Sequence, residues 1–172
     1  EDLLAGVADL LWGEISPPEE TASPTRNLGM LARSIRALFQ RHPQAAPLLL
    51  RTYALSRSLL ELMRRYLEAL KRGDLGGRDR AAVLRSMVSY ALGYGYTETS
   101  VFGLYCGPSD PAALPPAPTR EEVLMYLGQA LPPDTPPGLA ETAKVMIADC
   151  NSDQCFEDGL ELMLAALTQR SS

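Results

Sequence analysis

Tyr90, Tyr94 and Thr97 recur at intervals that place them on one side of a helix advancing about 100° per residue, and Val101 and Tyr105 continue the same sector. Aromatic bodies with polar tips supply apolar contact and orienting hydrogen bonds together, which is the chemistry of holding a small molecule rather than of breaking a bond. Glu98 lies beside this sector, and Ser34, Leu38 and Met63 stand on two other helical patterns. Ser34, Leu38, Met63, Tyr90, Tyr94, Thr97 and Glu98 form the candidate small-molecule-binding set. The competing reading of each is plain packing, since such residues at helical spacing also fill cores. Met30, Met63, Met87 and Met163 fit that use, or a pocket that adapts to several ligands.

Catalytic chemistry finds no comparable pattern. The single histidine, His42, immediately precedes Pro43, and no motif sets a serine or cysteine against it. Cys106, Cys150 and Cys155 make no CxxC pair, so with one histidine there are too few soft ligands for a zinc site, and reduced structural thiols are expected. No paired-carboxylate, Cys/His or phosphate-loop signature is present. No catalytic residue, metal or cofactor is therefore expected, and the chain reads as a non-enzyme.

A second kind of pattern concerns faces. Ser86, Ser89, Gly93 and Ser100 form a stripe of small side chains on the same helix as the tyrosines, where a second helix can approach closely. Near the end of the chain, Phe156, Leu160, Met163, Leu164 and Leu167 make one apolar stripe, and Cys155, Gly159, Leu162 and Ala166 make another. One core satisfies only the first. Ser89, Gly93, Ser100, Cys155, Gly159, Leu162 and Ala166 are thus the candidate dimer interface.

The elements that must position these residues are helical. Prolines gather at Pro17–Pro24, Pro108–Pro118 and Pro132–Pro137, leaving long stretches free of them. The periodicity predicts the tail of a helix ending at Trp12-Gly13 with Leu3, Leu4, Val7, Leu10 and Leu11 as its apolar row. It predicts further helices over Leu28–Arg41, ended by His42-Pro43; over Leu59–Arg72, with Leu59, Leu60, Met63, Tyr66, Leu67 and Leu70 inward and Gly73 as its C-terminal cap; and over Asp79–Tyr105. A short segment, Gln44–Leu50, follows the second. Thr119 and Glu122 fit a capping box opening a helix to Ala130, Leu139–Ala148 makes another, and the last runs over Asp153–Gln169 with Asn151 or Ser152 as N-cap. Without β-alternation or repeats, an all-α bundle of about seven or eight helices is expected.

Composition bounds the function. The 172 residues, 46% hydrophobic, suffice for one domain spanning 1–172 around one sizeable core. A net charge of −5 argues against a surface that neutralises many phosphates. Apolar runs fall short of the ~20 residues of a membrane span, and there is no signal-peptide pattern, so a cytoplasmic, non-membrane protein is expected. The chain opens at Glu1 already inside a helical pattern, from which a longer protein is expected, with 1–13 as the tail of a connecting helix.

The order of segments is itself informative: Leu11-Trp12-Gly13-Glu14-Ile15 before a proline loop, a helix ending Arg41-His42-Pro43, Leu84 to Gly93 in the central helix, and Phe156-Glu157-Asp158-Gly159-Leu160 in the last. Together these resemble the C-terminal domain of the tetracycline-repressor branch of the TetR family. The resemblance implies a homodimer joined by the central and last helices, and a pocket that receives a small-molecule effector. Binding there relieves DNA binding by an N-terminal helix-turn-helix domain, through which alone DNA would be held. It also implies that the positions of the histidine and glutamate that hold a drug–magnesium complex in tetracycline repressors fall on Leu49 and Thr97, neither a good hard-metal ligand. A mainly apolar or aromatic effector without metal is the expectation. A helical adaptor that binds protein and no small molecule is the alternative.

The acidic balance and the lack of a recognition helix yield a direct expectation for DNA. In a gel-shift assay with the operator of the intact regulator, this chain alone leaves the duplex unretarded; saturable, sequence-specific retardation would overturn the assignment.

Overall fold

The computed structural model describes residues 2–52, 56–73, 77–99, 120–130, 132–139, 141–142 and 152–169. Among them no strand occurs, and seven α-helices follow one another: α1 (Asp2–Gly13), α2 (Pro24–Arg41), α3 (Ala46–Thr52), α4 (Arg57–Leu70), α5 (Gly77–Thr99), α6 (Arg120–Ala130) and α7 (Ser152–Gln169). A 3-10 turn over Pro43–Ala45 links α2 to α3, and residues 137–139 and 141–142 are also helical. No described helix is long and apolar enough to cross a membrane. Contacts divide the chain into two compact units, Glu1–Tyr96 with Glu157–Ser172, and Thr97–Phe156.

Local chemistry sets the helix starts. The Ser23 hydroxyl accepts from the Arg26 N–H, and Pro24 takes the first helical position, where a missing N–H costs nothing; α2 therefore begins four residues before the predicted Leu28. Likewise Ser56 accepts from the Leu59 N–H at 3.2 Å and starts α4 at Arg57, two residues early. The expected glycine cap is corrected: α4 ends at Leu70 with Lys71 as its C-cap in right-handed geometry, the Gly73 N–H donates to the Leu70 carbonyl, and no described glycine has a positive φ.

The core of the first unit is built on α2, whose Leu31, Ala32, Ile35, Leu38 and Phe39 are 0% exposed, as the period predicts. Phe39 packs against Gly95 of α5, where an added Cβ would lie 3.0 Å from the ring. Gly29 of α2 faces Leu164 of α7, 3.4 Å from where its Cβ would stand. On the surface, Arg33 grips Glu157 of α7 with two parallel bonds, Nε to Oε1 at 2.8 Å and Nη2 to Oε2 at 2.6 Å. The half-exposed setting keeps that pair to roughly 1 kcal/mol or less.

The proline loop after α1 is fastened by buried Asn27, which accepts from the Glu19 N–H and donates to the Glu19 carbonyl. Tyr66 lies beneath, its hydroxyl donating to the Ser16 carbonyl at 3.3 Å, and burial pushes that phenol up to about 12. Glu14, just past α1, accepts from the Arg41 guanidinium at 2.9 Å and meets His42 Nε2 at 3.0 Å; the His42 bond is the main reason its carboxyl sits below the ordinary range.

In α1 the residues Leu3 and Leu10 of the apolar row are 79% and 76% exposed, whereas Ala8 and Trp12 are buried. One predicted face is corrected in part: in α4, Leu60 is outward and Leu62 takes the buried place. Hydrophobicity alone cannot tell which of two nearby leucines on a helix finds a partner.

Gly95→Ala should test the α2–α5 contact. The added methyl must displace the Phe39 ring base, an overpacking cost of about 1–3 kcal/mol that outweighs the ~1 kcal/mol gain in helix propensity. Urea unfolding should show a lower midpoint with an unchanged slope; an equal or higher midpoint would mean the two helices are not so closely packed.

Candidate functional site

Helix α5 sorts its residues by face. Ala91 is fully buried, Val88 likewise, and Tyr90 and Tyr94 are half-buried beside them. Their rings form a tilted pair with centroids 5.9 Å apart. Over Tyr94, 5.6 Å from its centroid, sits the guanidinium of Arg36 from α2, a residue only 7% exposed. Tyr90 reaches the other way to Gly159 of α7, where a Cβ would collide with the tyrosine hydroxyl and lie 3.1 Å from Cζ. The pair therefore occupies the seam of α2, α5 and α7, and the glycine in α7 is there because the Tyr90 ring needs its space.

The other members of the predicted set are dispersed. Leu38 is 0% exposed and packs in the core, Ser34 and Met63 are half-buried on α2 and α4, and Glu98 is half-buried and Thr97 exposed in the last turn of α5. Thr97 and Glu98 belong to the second compact unit. Leu49, at the position the resemblance aligns with a metal ligand, is fully buried on α3. Among the described residues, no group of three His, Cys, Asp or Glu could hold a metal ion.

The outward faces carry the second predicted set. Ser86, Ser89 and Gly93 are exposed on α5, with open space where a Gly93 Cβ would stand, and Tyr96 continues that side at 42% exposure. On α7, Cys155, Leu162 and Ala166 are exposed, Leu162 at 73%, while Phe156 and Leu160 are fully buried. Gly159 stands half-buried between the two stripes and serves the inner contact with Tyr90. Ser100, Val101 and Tyr105 lie outside the described residues, as does the Thr119 of the capping box.

Sequence reasoning missed Arg36 altogether. Its signal was available: it follows Ile35 and precedes Phe39 by one turn, so an arginine stands on the apolar face of α2 and needs a partner there. It also missed a cleft of about 360 Å³ between the end of α1 and the start of α4, bordered by Trp12, Ile15, Arg57, Glu61, Leu62 and Arg65. That cleft joins residues too far apart in sequence for periodicity to relate.

Residues 17–170 match the tetracyclin repressor-like C-terminal domain, and the chain belongs to that family. Its structure is similar to that of a possible TetR family transcriptional regulator from Streptomyces coelicolor A3(2), with a TM-score of 0.71 and 23% identity over 98% of this chain and 77% of that one. At that identity the likeness establishes the fold alone. No curated protein matches the chain significantly.

The Arg36–Tyr94 contact is open to a double-mutant cycle. Arg36→Met and Tyr94→Leu should each destabilise the domain and show a coupling of about 0.5–2 kcal/mol, the range of a partly desolvated cation–π pair. Additive effects would mean that the two side chains are neighbours without energetic contact.

Proposed function

We propose that the chain is the effector-binding and dimerisation domain of a TetR-like transcriptional regulator, acting in the cytoplasm and holding DNA only through an N-terminal domain of the intact protein. The observation that carries this reading is the division of α5. Its inner side presents a polar-tipped aromatic pair, Tyr90 and Tyr94, at the seam with α2 and α7, while its outer side presents small residues to solvent.

The inner side suits a small, mainly apolar or aromatic effector. Ring faces supply contact area, and the tyrosine hydroxyls and Arg36 supply direction. Ser34 and Met63 are the flanking members, and Leu38 is reached only if the core opens. Thr97 and Glu98, the remaining members of the expected set, belong to the second compact unit. No metal is required by this arrangement. A ligand shifts the helices only by its differential affinity for their arrangements, and α1 is the element through which that shift would leave the domain.

The outer side suits a second copy. Leu162 and the small side chains Ser89, Gly93, Cys155 and Ala166 are exposed on their helices, where helices of a partner protomer can lie against them. Gly159 and Ser100, the latter outside the described residues, are the remaining members of this proposed interface. The family makes a non-enzymatic regulator the natural reading. A protein-binding adaptor remains the alternative, favoured only if no small molecule stabilises the domain.

A thermal-shift screen of small aromatic and apolar compounds, with and without chelator, tests the pocket. A ligand at a hundredfold excess over its Kd should raise the midpoint by roughly 5–10 °C, and Tyr94→Ala should diminish the shift. Hits abolished by chelator would sink the metal-free reading, and hits indifferent to Tyr90 and Tyr94 would move the site. For the outer face, Leu162→Glu replaces a side chain that is 73% exposed in the single chain, so it spares the fold. Sedimentation should nevertheless show monomers where the parent sediments as a dimer. A monomeric parent or an intact mutant dimer would remove this interface.

A further inference from the structure

Helix α1 is held to its neighbours in an unusual way. Of its described residues only Ala8 and Trp12 are buried, while Leu3, Leu4, Val7 and Leu10 point outward. Between the two buried positions stands Asp9. Its Oδ1 accepts from the backbone N–H of Ser58 at 2.7 Å and from the hydroxyl of Ser56 at 2.9 Å, both at the start of α4. Ser56, 4% exposed, spends its own oxygen on the Leu59 N–H. The first turn of α4 is thus capped twice, once by its own serine and once by a carboxylate belonging to a different helix. A carboxylate is the favoured group there, because the first N–H groups of a helix lack partners and carry the positive end of its dipole. The bond to the Ser58 N–H is also the main reason that the Asp9 carboxyl is held below its ordinary value of 3.8.

We propose that Asp9 is a positioning residue that joins α1 to the first turn of α4, so that the two segments open and close as one. An apolar contact tolerates sliding, but a side chain as short as aspartate reaches both donors only while α1 and α4 keep their register. The cleft bordered by Trp12, Arg57 and Glu61 opens beside this joint, between the end of α1 and the start of α4. Its regulatory meaning rests on the reading above, in which α1 carries the state of the domain outward; the joint itself does not.

Hydrogen exchange on the whole chain tests it without ligand or DNA, so failure removes the joint and leaves the effector reading standing. Three segments are followed: α1, the first two turns of α4, and α2 as the reference for the fold. Asp9→Ala should speed exchange in both α1 and the start of α4, by about fivefold or more for the loss of a cap, with α2 unchanged. Asp9→Asn keeps an acceptor oxygen, so it should return most of the protection to both segments together, and it carries the test should Asp9→Ala unfold the chain. A mere local cap predicts a different result. Acceleration confined to the start of α4, or protection recovered in one segment and not the other, overturns the joint.

Discussion

Closing one face of α2 completely sets the terms for the helices around it, because a fully buried face needs neighbours on more than one side. Leu31, Ile35, Leu38 and Phe39 expose nothing, and each such side chain contributes on the order of 1.5–3 kcal/mol by leaving water. That burial is possible only where the partner surface is low. Phe39 lies where Gly95 leaves room, Gly29 makes room for Leu164, and Tyr94 offers a flat ring to Arg36. The glycines of this region are therefore read as seats for larger side chains, not as points of flexibility. The Tyr90 ring on Gly159 repeats the arrangement between α5 and α7.

Which parts of this were legible in the sequence follows from what each signal measures. Periodicity found α2 and its inward residues, because that helix has one strongly apolar side and a charged opposite side. It also separated the two stripes of α7, where Leu160 is buried and Leu162 is not. In α4 it places Leu59, Tyr66 and Leu70 on the buried side but takes Leu60 where Leu62 is the buried leucine. Helix starts were misplaced by two to four residues at Ser23 and Ser56, because a capping serine precedes the apolar row and was passed over for the first leucine.

The candidate site was legible in part for the same reason. Tyr90 and Tyr94 could be paired from spacing alone, since neighbours on one helix are fixed by its geometry. Small residues mark close approach without saying from which side, and at Gly159 the Tyr90 of the same chain approaches one side. Contacts between α2 and the other helices, Arg36 with Tyr94 and Arg33 with Glu157, depend on packing angles that no local pattern encodes.

The attachment of α1 differs in kind from the closure of α2. A core face buried at 0% exposure resists displacement because every shift opens voids, whereas α1 buries Ala8 and Trp12 and reaches α4 through the Asp9 carboxylate, with Glu14, just past its end, bound to the end of α2. Hydrogen bonds of that sort contribute modestly to net stability, on the order of 1 kcal/mol each, but they are directional and fail over a few tenths of an ångström to an ångström. The contrast is therefore between a face of α2 closed by packing on every side and an α1 whose register on the first turn of α4 is set by directional bonds to one short side chain, Asp9.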